Sequence, residues 1–374
     1  MRRLRLIALV AAASLAAGSL FAAEKKKKKK EEREITQTLE IPKDPPQAVV
    51  AEAARLVFHV SALSSKGLLS QQVRDGLKDL QRQARGAAIV KLRAFVAGSG
   101  DMRRVQAIVS ETFTDRRQPL PALSVVQVGG LPLLGAQVVL ESVAVAKKPV
   151  NPSGLAFISG QQERSDAPLD PAAPLVGQSL AGVGAALRAA GAESADVARV
   201  TCYVSTLADV NTVRASVARA FPKAAWNVVQ VRRASLGSLA ECEAVARLRA
   251  VPDGRLKMLN PEGLPKSPHY SQVALVAPGR LALSGMQMAF GYQDQDLRLA
   301  FLRLAKALES VGAKISDTAV SSIYPLSERM TEQIRAVRGQ FYNPASPPAA
   351  TLLGFEGLPS LDASCAVDVV ALIR

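Results

Sequence analysis

The chain carries only three cysteines and two histidines in 374 residues. Three cysteines, none in a C-x-x-C pair, are too few for a disulfide framework. His59 and His269 alone exclude a multi-histidine metal site, and no metal or cofactor is expected. Aromatic residues are scarce at 4%, with a single tryptophan. Stacking platforms for single-stranded nucleic acid are therefore few. The net charge of +15 is spread along the chain rather than interleaved with aromatics, so no nucleic-acid partner is expected. Charged residues are only 21% against 48% apolar, which excludes wholesale disorder. The length suits two or three domains, each able to bury a core.

What is present begins with a leader. Arg2, Arg3 and Arg5 precede the apolar stretch Leu6–Ala23, the pattern of a secretory signal peptide over residues 1–23. The expected product is an exported protein, periplasmic or secreted; an uncleaved membrane anchor is the alternative. Residues 24–45 form a charged flexible segment. Its run Lys25–Lys30 repels itself and will not fold. It reads either as a solvated tail or as a contact to an anionic surface.

The remainder repeats itself. The stretch Gly191-Ala192-Glu193-Ser194-Ala195-Asp196 leading into Val200-Thr201-Cys202-Tyr203-Val204 recurs as Gly312-Ala313-Lys314-Ile315-Ser316-Asp317 leading into Ser321-Ser322-Ile323-Tyr324. A weaker echo is Val90-Lys91-Leu92-Arg93-Ala94-Phe95-Val96. A helical pattern follows each: Met102, Val105, Val109, Phe113; then Val210, Val213, Val217, Phe221; then Met330, Ile334, Val337, Phe341. Spacings of three and four put each set on one helix face, as burial against a sheet requires. Each copy closes with two β-branched runs that read as an antiparallel strand pair: 124–128 with 138–143, 228–231 with 242–245, and 352–355 with 367–370. Opening strands fall at 56–60, 155–158 and 281–283. Pro-rich linkers separate units over 46–147, 153–250 and 263–374.

These residues resemble the reactive intermediate deaminase (Rid, YjgF-like) family. The markers are Ile158-Ser159-Gly160-Gln161, Val200-Thr201-Cys202-Tyr203-Val204 and Leu239-Ala240-Glu241-Cys242-Glu243-Ala244-Val245 in the second unit, and His269-Tyr270-Ser271-Gln272 with Gly357-Leu358-Pro359 in the third. The first unit is the most diverged, with Ser61-Ala62-Leu63 where serine-glycine-glutamine is expected. The resemblance implies an α+β fold of chorismate-mutase-like units, each a mostly antiparallel sheet with two helices on one face. That family forms trimers with ligand pockets between subunits. Three units in one chain therefore suggest a monomeric, intramolecular pseudo-trimer, since linked copies meet at high effective concentration.

The family hydrolyses enamines and imines such as 2-aminoacrylate to keto acid and ammonia, without cofactor. It uses an arginine fork for the substrate carboxylate and an acid in the last strand. Here the arginine position holds Leu123, Trp226 and Ala350, while Glu141, Glu243 and Asp368 keep an acid, the candidate catalytic residues. Neighbouring cations that could substitute are Arg116, Arg117, Lys223, Arg232 and Arg233; none lies near Ala350 in sequence. The candidate ligand-binding residues are Tyr270, Ser159, Gly160, Gln161, Trp226 and Asn227. Each has a plainer reading: acids satisfied by backbone donors, Trp226 as core, and Ser159-Gly160-Gln161 as bulge geometry. Cys202 and Cys242 either pair or are small buried hydrophobes. The lost arginine favours a scaffold that binds a small molecule or a protein partner; the alternative is an imine deaminase.

Overall fold

The computed structural model describes residues 43–98, 101–167, 169–232 and 237–373. The expected leader and the lysine run lie outside the described residues. Among the described residues, no helix is long and apolar enough to cross a membrane.

The chain opens with β1 (Ala48–Glu52), β2 (Leu56–Val60), α1 (Leu69–Ala84), β3 (Ala88–Ala97), α2 (Met102–Asp115), β4 (Ala122–Val128) and β5 (Val138–Val145). It continues with β6 (Leu155–Ser165), α3 (Ala172–Ala189), β7 (Val197–Val204), α4 (Val210–Ala220), β8 (Ala225–Gln230) and β9 (Ser238–Arg247). Then come β10 (Leu256–Leu259), β11 (Val273–Val276), β12 (Arg280–Ser284), β13 (Gln287–Phe290), α5 (Asp294–Glu309), β14 (Ala313–Pro325), α6 (Glu328–Arg338), β15 (Ala349–Leu352) and β16 (Ala363–Ile373). The helical periodicity is realised in α2, α4 and α6, whose Val105, Val109, Phe113, Val213, Val217, Met330, Ile334 and Val337 are buried. Side-chain caps set two of the starts: Asp101 accepts from the amides of Arg103 and Arg104, and Ser327 from that of Met330.

Three sheets share one strand order. The first is β2-β5-β3-β4, the second contains β6-β9-β7-β8, and the third contains β12-β16-β14-β15. The fold is thus α+β, with helices packed on one face of each sheet in three separate apolar clusters. The closing strands differ from expectation. β4 and β5 are not neighbours: β4 pairs in parallel with β3, and β5 lies antiparallel between β2 and β3. The same holds for β8 and β15. A helix separates β3 from β4, which is the crossover that a parallel pair needs.

The segment boundaries also differ from expectation. β1 leaves the first unit and pairs with β12 of the third sheet. β11 leaves the third unit and pairs with β6 of the second. Residues 256–259, read as linker, form β10 on the outer side of β11. Each crossing strand covers an open edge of a neighbouring sheet, which would otherwise present unpaired backbone groups. Loop backbones join each pair of units: Gly129 donates to Gln230 O, Arg232 to Gly354 O, and Glu356 to Gln127 O.

The inner sheet faces meet one another. One shared cluster joins Phe58, Val143, Phe157, Val245, Leu281 and Leu372; another joins Phe95, Tyr203, Tyr324 and Phe355. All three units contribute to both. Within the second unit, Cys202 and Cys242 stand opposite each other in the β7–β9 register and form a disulfide. Replacing both by alanine should lower stability by roughly 2–4 kcal/mol, because the open chain regains loop entropy. Urea unfolding would measure it, and an unchanged midpoint would refute it.

Candidate functional site

The three candidate acids converge on one interior. In register, Arg93 faces Glu141, Thr201 faces Glu243, and Ser322 faces Asp368. Two residues earlier on the same strands are Lys91, Arg199 and Val320, on the same sheet face because strand side chains alternate. The acids are all but buried, with Glu141 2% and Glu243 5% exposed. Arg93 binds both glutamates: Nε and Nη2 donate to Glu141 Oε2 at 3.0 and 2.6 Å, and Nη2 donates to Glu243 Oε1 at 2.7 Å. Arg199 Nη2 adds a bond to Glu243 Oε1 at 3.2 Å. Lys91 Nζ lies 3.4 Å from Asp368 Oδ2.

Each acid also takes a donor from the next unit. Asn227 Nδ2 donates to Glu141 Oε1 at 3.1 Å, Thr351 Oγ1 to Glu243 Oε2 at 2.6 Å, and Ser124 Oγ to Asp368 Oδ2. First takes from second, second from third, and third from first, so the cycle closes around a pseudo-threefold axis. Three cations face three carboxylates there. Burial would raise the Glu243 carboxyl, but Arg93 and Arg199 hold it below its ordinary value. Burial opposes the charge on Arg93 too, yet Glu141 and Glu243 keep its guanidinium more firmly protonated than usual. For Lys91 burial prevails over Asp368 and lowers the ammonium. A cavity of about 60 Å³ is lined by the network itself, by Lys91, Arg93, Glu141, Arg199, Glu243 and Asp368, with Phe58, Phe157 and Leu283 completing its wall. At about 10–15 Å³ of such space per water, it has room for roughly four or five waters.

Larger spaces lie where units meet near the surface. One groove, about 580 Å³, runs between the second and third units past Gln162, Arg164, Arg232, Arg335 and Leu353. Beside Gln162 sits a buried acid, Glu241, whose Oε2 accepts from Gln162 Nε2 at 2.7 Å. A Cβ at Gly160 would fall 1.7 Å from Glu241 Oε1, so only glycine lets this carboxyl lie against β6. Burial raises its pKa to about 8, with Glu243 adding to the rise and Gln162 and Arg164 opposing it. A second groove, about 570 Å³, lies between the first and second units and includes Trp226, with Arg214 placed 5.5 Å from its ring centroid.

Residues 147–248 match the family described as Endoribonuclease L-PSP. That match covers the second unit. Solved structures are similar to about a third of the chain: a Rid-family protein of unknown function from Yersinia pestis, at 20% identity over 32% of this chain and 100% of that chain, TM-score 0.29; a YjgF-family member from Neisseria meningitidis, at 15% over 32% and 95%, TM-score 0.24; and a YjgF/YER057c/UK114-family member from Mycobacterium tuberculosis, at 19% over 32% and 99%, TM-score 0.24. No curated protein matches.

Within the L-PSP-like unit, Ser159 and Gly160 sit at a bulge of β6, between Ile158 and Gln161. Ser159 Oγ donates to Ser271 O, and Gln161 Nε2 donates to Gln272 Oε1 at 2.7 Å, fastening the crossing β11 segment. Tyr270, half-buried, belongs to that segment. Trp226 is half-buried in its groove, away from the acids, whereas its neighbour Asn227 joins the axial network. The structure therefore brings Ser159, Gly160 and Gln161 to the segment carrying Tyr270, but leaves Trp226 and Asn227 elsewhere. Arg116, Arg117 and Lys223 are exposed, Arg232 lines the groove, and Arg233 lies outside the described residues. The acids are not without a cation, nor held by backbone donors: Lys91 and Arg93 of β3 and Arg199 of β7 supply the charge. Their signal in the sequence was a cation inside an otherwise apolar strand, as in Val90-Lys91-Leu92-Arg93-Ala94. Glu241 was visible only as part of a motif.

Proposed function

We propose that the chain is an exported Rid-like pseudo-trimer that binds a small molecule in the groove between its second and third units, and that Glu141, Glu243 and Asp368 serve the axis rather than catalysis. One observation carries this reading: all three carboxylates are paired with buried cations and receive a donor from the next unit. Glu141 accepts on both oxygens from Arg93, Thr201 and Asn227, and Arg93 and Arg199 hold the Glu243 carboxyl below its ordinary value, the opposite of what a general base working near neutrality needs. The leader-like residues 1–23 support export, as does the disulfide, which persists in oxidising compartments. The test generates 2-aminoacrylate with a coupled enzyme and follows keto-acid release. The expected result is the uncatalysed rate at any protein concentration; protein-dependent acceleration lost in Glu243→Gln would overturn it. A thermal-shift screen of small molecules is the positive arm.

A second reading rests on Glu241. A buried carboxyl with a pKa about 8, beside an open groove, could carry a proton for imine hydrolysis. Acceleration abolished by Glu241→Gln but kept in Glu243→Gln would select it.

A further inference from the structure

The three clefts between units are not alike. Those between the first and second and between the second and third units hold about 570 and about 580 Å³, and their walls come from their own two units. The cleft between the third and first units holds about 290 Å³, and its wall includes Asp44, Pro45, Pro46 and Gln47, which precede β1. This short stretch is fixed at both ends. Just after it, Ala48 stands opposite Ser284 in the β1–β12 pair. Gly285 N donates to Gln47 O at 2.8 Å, and Gln287 Nε2 donates to Gln47 Oε1. At the other end Gln106 Nε2, on α2 of the first unit, donates to Asp44 Oδ1 at 3.4 Å. The stretch therefore ties the turn between β12 and β13 to a helix of the first unit. The same turn reaches the first unit directly, where Met286 N donates to Leu123 O at 3.1 Å. The fit is close: a Cβ at Gly285 would lie 3.4 Å from Pro46 O and 3.3 Å from Leu123 O. The residue types suit the position. Consecutive prolines hold the backbone extended and carry no N–H. They can therefore share a cavity wall with Met286, Met288 and Phe290 without leaving a donor unpaired.

We propose that Asp44–Gln47 is an intramolecular strap that closes the cleft between the third and first units. The chain then offers two open grooves rather than three, and release of the strap uncovers another apolar one. As a control on ligand access this rests on the groove reading above, but its test needs no ligand.

Among the described residues the native cysteines are a disulfide and the buried Cys365, so an introduced thiol reports on access. Met286→Cys places one beside the strap, and Leu63→Cys places one in the open cleft between the first and second units; both positions are half-buried. In the full chain a bulky maleimide should modify Met286→Cys about tenfold more slowly than Leu63→Cys, because reaction in the closed cleft waits for a local opening. Adding Pro45→Gly, Pro46→Gly and Gln47→Ala should accelerate Met286→Cys and leave Leu63→Cys unchanged. Glycine returns to the free strap the entropy that proline denies it, and alanine deletes the side-chain bond to Gln287. Equal rates at the two thiols with the strap intact, or no acceleration in the triple variant, would overturn the proposal. Acceleration at both thiols would report general loosening and overturn it too. Where the triple variant also exposes Cys365, Gln106→Ala with Gln287→Ala decides, since it cuts the strap's side-chain bonds and keeps the prolines. No acceleration at Met286→Cys in that pair, with Cys365 still protected, would overturn the proposal. A flat small-molecule screen alongside the expected labelling would remove the groove reading and keep the strap; a positive screen with unchanged labelling would do the reverse.

Discussion

Arg93→Met should destabilise the protein by about 3–5 kcal/mol, the usual consequence of removing one partner from a buried ion pair. The loss should exceed that of any single surface charge, because Arg93 serves two carboxylates from two units. Without it, Glu141 and Glu243 face each other in a site from which water is nearly excluded, with Arg199 as the remaining guanidinium. Adding Glu141→Gln and Glu243→Gln to the variant should recover part of the loss, since neutral amides no longer repel. The pH dependence has a definite sign. Glu243 is held below its ordinary value of 4.5, so its contribution is present above that pH and is lost as pH falls through the lower folded-state value. Wild type should therefore lose stability in acid more steeply than Arg93→Met. Guanidinium unfolding at pH 7 and pH 3 reads both effects. A variant as stable as wild type at pH 7 would mean that the axis is not held by charge.

Glu241→Gln should change the opposite limb. With its carboxyl at about 8, the folded protein keeps a proton that the unfolded chain releases near 4.5. The stabilising term is fully present below about pH 4.5 and disappears as pH rises to 8, a loss on the order of 5 kcal/mol. The glutamine variant does not titrate, so its stability should stay flatter across that interval and exceed wild type at pH 9. Parallel stability curves would show that Glu241 is ionised or solvated in the folded state. A buried acid whose carboxyl is raised in this way is a candidate functional group.

Much of the architecture was legible. Apolar residues three and four apart marked α2, α4 and α6, since a helix facing a sheet must repeat its contact every turn. β-branched runs located most strands, and Glu141, Glu243 and Asp368 were visible as residues at matching places in three similar stretches. Pairing was not legible. A run such as 124–128 records that its faces are buried, and carries no mark of whether β3 or β5 lies beside it. The exchange of β1 and β11 between sheets was hidden for the same reason, because an edge strand satisfies the same backbone groups on its own sheet or on a neighbour's.

By itself, then, the sequence determined the elements, their thrice-repeated order and the positions of the acids, because periodicity and composition are local properties of the chain. Tertiary structure alone decided that Lys91, Arg93 and Arg199 would neutralise those acids, that Cys202 would meet Cys242, and that Glu241 would be buried against Gly160. Each of those outcomes depends on which side chains face one another across strands or across units, and electrostatic energy follows that distance and the loss of water around it rather than separation along the chain.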